Sequence, residues 1–365
     1  MPPDDSQATN DNQVHDGYDL EIGILARLRE WIDVLPWLRL LRILRVVGSP
    51  PLIGIVALTF AVWKIGIMLM TLNEIVPHAS TPEAATATGQ QTALFTAYIA
   101  NLNPASVFSA NPEISWWKTL MGICWSVFIW TPVAILLSRQ GGLLAAGRPL
   151  MPLSAAVSLA LSRTFAGWLA AAVPLGCISV LAVLIMLIGW FSGLVGDISW
   201  LNSILAILTL LFAIPCGVLA FGANVAIPLS WGALGNERDP DAMDSLSRGY
   251  EYLFRRPLQL GLYLLVAAVI MSVVAVLSGE ISEAAIEING RLLKFCGATD
   301  GMITKSIALL KHLPVIALLT ATWSLLGGVY LLLRYDTGGQ EVEDLWQADV
   351  PSDPPLPNIP SQSAE

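Results

Sequence analysis

The chain has 365 residues, 55% of them apolar and 13% charged, with a mean hydropathy of +0.65 and a formal net charge of −9. A soluble domain carries roughly 25% charged residues, so a surface solvated all round by water is excluded and most of the chain must face lipid. The acids gather in the tails (Asp4, Asp5, Asp11, Asp16 and Asp19; Glu341, Glu343, Asp344, Asp349 and Asp353) while arginines flank apolar stretches, so local charge matters and the net figure does not.

Residues 1–19 read as an acidic, disordered N-terminal tail. The tail lacks the basic start and short apolar core of a cleavable signal peptide, so insertion is expected to begin at the first span. Residues 20–48 read as amphipathic helices at the membrane interface. Within them, WLRLLRILRVVGSPP (37–51) places Arg39, Arg42 and Arg45 at every third position, the spacing of a voltage-sensing helix. Only about twelve residues, ~18 Å of helix, separate Pro36 from the Ser49-Pro50-Pro51 break. A hydrocarbon core of ~30 Å cannot be crossed by that length, and the spans hold no carboxylates to pair with gating charges. As an α-helix the segment would turn these arginines toward lipid phosphates. Leu38, Leu40, Leu41, Ile43, Leu44 and Val47 would face the acyl chains.

The membrane domain covers 49–335, with six predicted spans at about 51–72, 117–138, 165–190, 201–227, 258–278 and 313–333. Trp116, Trp117, Trp190, Trp200 and Trp231 mark span ends as interfacial aromatics do. Lys64 is the one charge well inside a span, about eight residues (~12 Å) from its outer end, and an intramembrane charge marks a candidate site. Basic residues alternate in sides: Arg27, Arg29, Arg39, Arg42 and Arg45 before the first span, none in 72–115, Arg139, Arg148 and Arg163 after the second, none in 191–200. Arg238, Arg248, Arg255 and Arg256 follow the fourth span and Arg334 the sixth, so both termini are expected to be cytoplasmic. The 279–312 connection dissents, since Arg291, Lys294, Lys305 and Lys311 would lie outside.

Spans three and four carry paired Pro-x-Gly sequences, Pro174-Leu175-Gly176 and Pro215-Cys216-Gly217, at depths that let them face each other. Paired helix breaks near mid-membrane point to transporter sites, whereas kinked spans re-satisfied by their neighbours need no such role. Asn224 is the nearest polar companion. After span four, 236–257 has helix punctuation: Asp239 as cap, Pro240 at the first helical position, the pairs Asp244–Arg248 and Glu251–Arg255, and Pro257 as terminator. Arg163, Arg248, Arg255 and Arg256, with the three arginines of the first segment, are assigned as lipid-headgroup anchors. Leu246-Ser247-Arg248-Gly249-Tyr250 echoes Leu161-Ser162-Arg163-Thr164-Phe165 at a distance of 85 residues, leaving duplication and coincidence both open.

Thr320, Ser324 and Gly328 form a small-residue stripe on the last span that lets another helix approach closely. Residues 336–365 read as an acidic, Pro-rich disordered tail. The four cysteines read as packing residues, and His15, His78 and His312 have no companions at metal-ligand spacing. No nucleotide, nucleophile, zinc or paired-carboxylate motif occurs, so the expectation is an all-α, polytopic helix bundle that is not an enzyme and takes no cofactor. Membrane lipids are the expected partners, with protein partners possible through the tails or small-residue faces and no nucleic acid.

The run PLSWGALGNERDPDAMDSLSRGYEYLFRRP (228–257), with LLLRYDTGGQEVEDLW (331–346), resembles a group of uncharacterised polytopic membrane proteins of planctomycete-type bacteria. The resemblance extends over about 116–346 and implies a multi-pass inner-membrane protein, with no activity attached. Two readings of function follow: a non-catalytic scaffold or assembly partner, or a transporter or lipid-handling protein built on Lys64, Pro174, Gly176, Pro215, Gly217 and Asn224.

Overall fold

The computed structural model describes residues 35–69, 116–196 and 198–346. The 1–19 tail, the first part of 20–48, the connection after the first span and the tail beyond 346 lie outside the described residues. Helices carry the architecture: α1 (Pro50–Leu69), α2 (Trp116–Ala145), α3 (Leu153–Val195), α4 (Ser199–Asn236), α5 (Ala242–Arg255), α6 (Pro257–Phe295), α7 (Asp300–Leu310) and α8 (Leu313–Gly338). No strand occurs among the described residues. Six apolar stretches are long enough to cross a membrane: α1, α2, α3, α4, α6 and a last one running through α7 and α8. The chain is thus all-α and has the makings of a multi-pass integral membrane protein.

The helix α8 is the axis of the bundle. It packs against α1, α2, α4 and α6 and against the segment that precedes α1. Its small-residue stripe makes this possible. A Cβ added at Gly141 of α2 would strike the Ser324 backbone, and one added at Gly327 of α8 would strike the Ser138 backbone. The two helices therefore touch main chain to main chain, a separation only glycine permits. The Ser138 hydroxyl donates across this contact to the Trp323 carbonyl (3.1 Å). Gly328, one turn on from Ser324, leaves room for the side chains of Leu40 and Ile43.

That preceding segment corrects the expectation for its arginines. It is a 3-10 helix over Pro36–Ile43, continued by one α-turn at Leu44–Val47. With three residues per turn, an every-third-residue pattern lines up along one edge instead of spreading over an arc. Leu40, Ile43 and Val46 form such an edge and are fully buried in the bundle core, not turned to acyl chains. Arg39 is buried too and pairs with Glu343 from the far end of the chain, while Arg42 and Arg45 stay exposed.

Two long hairpins complete the fold. In the α3–α4 hairpin, the Trp231 indole donates to the Gly167 carbonyl (3.1 Å) near one end. The Ser192 hydroxyl donates to Asn202 (3.0 Å) near the turn. At 43 residues, ~64 Å, α3 is twice as long as a bilayer core requires. The predicted span of 165–190 is its apolar part, and the helix runs back to Leu153 because no breaker intervenes before Pro152. In the second hairpin, α6 runs beside α8: Tyr263 donates to Asp336 (2.6 Å) at one end and Ser282 to the Leu310 carbonyl (2.9 Å) at the other. Beyond Ser282, α6 continues for thirteen residues to Phe295 and α7 returns along it, joined by Asn289–Ser306 (2.8 Å). Of the dissenting basic residues, Arg291, Lys294 and Lys305 belong to this helical extension, where Arg291 pairs with Glu287, and Lys311 follows α7.

The helix predicted in 236–257 is α5, but it starts two residues later than expected. Asp241, not Asp239, is the cap and accepts from the Met243 amide (3.2 Å). Asp241 takes the extended conformation of a cap (φ −88°, ψ 147°), leaving Pro240 before the helix. The acid–base pairs Asp244–Arg248 and Glu251–Arg255 form at 2.8 and 2.6 Å. Pro257 then opens α6, as the punctuation required.

Candidate functional site

The polar centre of the molecule lies at the end of the bundle where α2, α4 and α8 finish and α3 begins, called the base below. There α8 closes on Gly339, whose φ of 65° is a left-handed cap that glycine adopts without strain. Residues 340–346 turn back as a strap across the base, and Val342 and Leu345 are buried in the core cluster. Arginines from separate elements hold this strap. Arg148, just after α2, donates to the carbonyls of Leu345 (2.9 Å) and Glu343 (2.6 Å). Arg334 of α8 donates to that of Asp344 (2.8 Å), and Arg139 of α2 to that of Trp346. Arg39 pairs with the Glu343 carboxylate at 2.5 Å.

Trp346 ends the strap between two cations. The guanidinium carbons of Arg163 and Arg139 lie 5.0 and 5.6 Å from its ring centroid, within cation–π range. Arg163 also donates to the carbonyls of Leu234 (2.5 Å), Glu237 (2.8 Å) and Arg238 (2.9 Å), capping the end of α4. Glu237 in turn accepts from Arg248 and from the Tyr330 hydroxyl. Burial alone would lower the Arg248 pKa, but Tyr330, Glu237 and Asp244 outweigh it and raise it. Burial raises the Tyr252 pKa beside this group, although Arg248 acts against it.

Arg139 shares the sequence context already noted for Arg163 and Arg248, an occurrence that sequence reading missed. Leu-Ser-Arg occurs at 137–139 as well as at 161–163 and 246–248. The geometry links all three: Arg139 and Arg163 share Trp346, and Arg163 and Arg248 share Glu237. Arg148, Arg334 and Tyr330 were counted only for topology or not at all, and the one available signal for the strap was the run ending in Trp346. Arg139 is wholly buried, and among the described residues its Nε and Nη1 atoms have no hydrogen-bond partner. Its charged neighbours are Arg163 and Arg148, both of the same sign.

The predicted intramembrane site does not assemble in this way. Both α3 and α4 run through Pro174 and Pro215 as continuous helices, with no unwound break. The two sequences do lie at one level, since the Cys216 thiol approaches the Ile178 carbonyl (3.9 Å). Pro174 is buried, but Pro215, Gly176 and Gly217 are exposed on the hairpin surface, and a Cβ at either glycine would meet nothing. Asn224 donates to Ala220 of its own helix (3.1 Å). Lys64 lies on α1, away from this pair, where its amine meets the His312 ring at 2.8 Å. Neither proline nor glycine of the pair is therefore joined to Lys64.

Of the assigned headgroup anchors, Arg42, Arg45, Arg255 and Arg256 are exposed, whereas Arg39, Arg163 and Arg248 are directed at protein partners. No group of three or more metal-ligating side chains occurs among the described residues. Comparison with protein-family models, with curated proteins and with solved structures found no match. The resemblance drawn from 228–257 and 331–346 therefore stands on those residues alone.

Proposed function

We propose that the chain is a multi-pass inner-membrane protein with both termini in the cytoplasm, serving as a non-catalytic scaffold that presents its C-terminal tail at a fixed point. The observation that carries this reading is the convergence of Arg39, Arg139, Arg148, Arg163 and Arg334 on the strap of residues 340–346. Five arginines on four separate stretches of chain hold one short segment just before the acidic, Pro-rich sequence VPSDPPLPNIPSQSAE. A scaffold needs its docking segment to leave a rigid body at a defined place, and this arrangement supplies that. The alternative of a transporter loses its main support, because the paired Pro-x-Gly helices are continuous and Lys64 sits apart from them.

The experiment is crosslinking in native membranes followed by identification of co-purified proteins, with the full chain and with Trp346→Ala. Partners crosslinked through the tail in the full chain, and depleted at least severalfold in Trp346→Ala, support a scaffold. Concentrative uptake of any solute by reconstituted vesicles, abolished by Lys64→Met, would replace it with transport.

A further inference from the structure

We propose that the arginine cluster under the strap is a binding site for a phosphate-bearing anion, with the strap as its displaceable occupant. This goes beyond the scaffold reading and does not depend on it.

Several guanidinium groups gather here, and three of them have no carboxylate partner among the described residues. Among the described residues, Arg139, Arg148 and Arg334 form no ion pair, and their partners are main-chain carbonyls of the strap. Gathering like charges in a desolvated place is unfavourable unless an anion completes it. Arg139 makes the deficit plain: its side chain is fully buried, and two of its three nitrogens have no acceptor among the described residues. A planar guanidinium fork is suited to bidentate contacts with phosphate oxygens. The carbonyl oxygens of Glu343, Leu345 and Trp346 occupy the places such oxygens would take, and the Trp346 ring covers two of the cations.

The site's location selects its ligand class. The cluster lies at the end of the spanning helices, where lipid headgroups are found, and basic pockets between membrane helices at that level take anionic headgroups. Phosphate of an anionic lipid and free phosphate share the same chemistry, and the two are separable by experiment. Because strap and anion use the same N–H donors, binding of one must loosen the other.

The test is native mass spectrometry of the full-length protein in detergent, titrated with phosphatidylglycerol, phosphatidylcholine or inorganic phosphate. Phosphatidylglycerol is expected to bind more tightly than phosphatidylcholine. Arg148→Gln, at a half-buried position, should weaken its binding about tenfold, the effect of losing one charged hydrogen-bonding group. Arg291→Gln, on the extension at the opposite end, should leave it unchanged. Trp346→Ala should tighten it by releasing the strap, and amide exchange across 340–346 should accelerate when ligand is added to the unmodified protein. If inorganic phosphate alone reproduces the exchange effect, the ligand is the free ion; if only the lipid does, it is the headgroup. Equal affinity for the two lipids with no response to phosphate, or affinity indifferent to both Arg148→Gln and Trp346→Ala, overturns the proposal.

Discussion

Gly141 and Gly176 are the same residue type in spanning helices, yet their surroundings assign them opposite roles. A methyl group on Gly141 would strike the Ser324 backbone, whereas one on Gly176 would meet open space. Gly141→Ala must push α2 and α8 apart or strain both, and overpacking of this kind costs about 1–3 kcal/mol. Gly176→Ala should instead gain up to about 1 kcal/mol from better helix propensity, and Gly217→Ala likewise. Thermal unfolding in detergent separates these outcomes: a lowered midpoint for Gly141→Ala and an unchanged or raised one for the other two. A fall for Gly176→Ala as large as for Gly141→Ala would mean that the Pro-x-Gly pair faces a close neighbour after all. The sequence could not distinguish these glycines, because proximity to another helix leaves no mark on local pattern. Only the stripe Thr320, Ser324 and Gly328 hinted at where the close approach would be.

At the scale of elements, the strap is held by contacts of unequal worth. The Arg39–Glu343 ion pair has its carboxylate half exposed, and pairs of that kind contribute about 0–1 kcal/mol. The Trp346 ring, in contrast, sits against both Arg139 and Arg163, each contact worth about 0.5–2 kcal/mol. Trp346→Ala is therefore expected to raise amide exchange across 340–346 by about tenfold or more, while Glu343→Ala changes it less than about fivefold. The reverse order would show that the ion pair, and not the ring, fastens the strap.

The long spans were legible in sequence because twenty or more apolar residues have few alternatives. The strap was not, since its hold consists of carbonyls, one carboxylate and one ring reaching arginines from 39 to 334, and no periodicity records such long-range pairing. The 37–47 segment was misread for a physical reason as well. The same triplet spacing gives a broad arc on an α-helix and a straight edge on a 3-10 helix, and tertiary packing of Leu40, Ile43 and Val46 decided between them.

At the scale of the whole molecule, the proposed orientation in the membrane depends on exposed arginines meeting lipid phosphates. Arg39 is bound to the strap, so replacing Arg39, Arg42 and Arg45 together would disturb folding and topology at once. Arg42 and Arg45 are exposed and give a cleaner test. Reversing both changes the charge beside the first span by about four units, against an anionic-leaflet attraction of about 1 kcal/mol per basic residue. A reporter fused after Trp346 should be cytoplasmic in the unmodified chain, and one inserted at the α3–α4 turn by Gly196 should be outside. With Arg42→Glu and Arg45→Glu, insertion yield should fall or a fraction of molecules should present the turn reporter inside. If yield and orientation are both unchanged, the anchoring must come from elsewhere, and Arg255 and Arg256 at the junction of α5 and α6 are the other exposed pair among the assigned anchors. Moving the same double reversal to that junction would then decide whether the two ends of the bundle share the work or the later one governs it. An α5–α6 junction that governs topology alone would mean that the first span is positioned by its packing against α2 and α8, not by its own flanking charge.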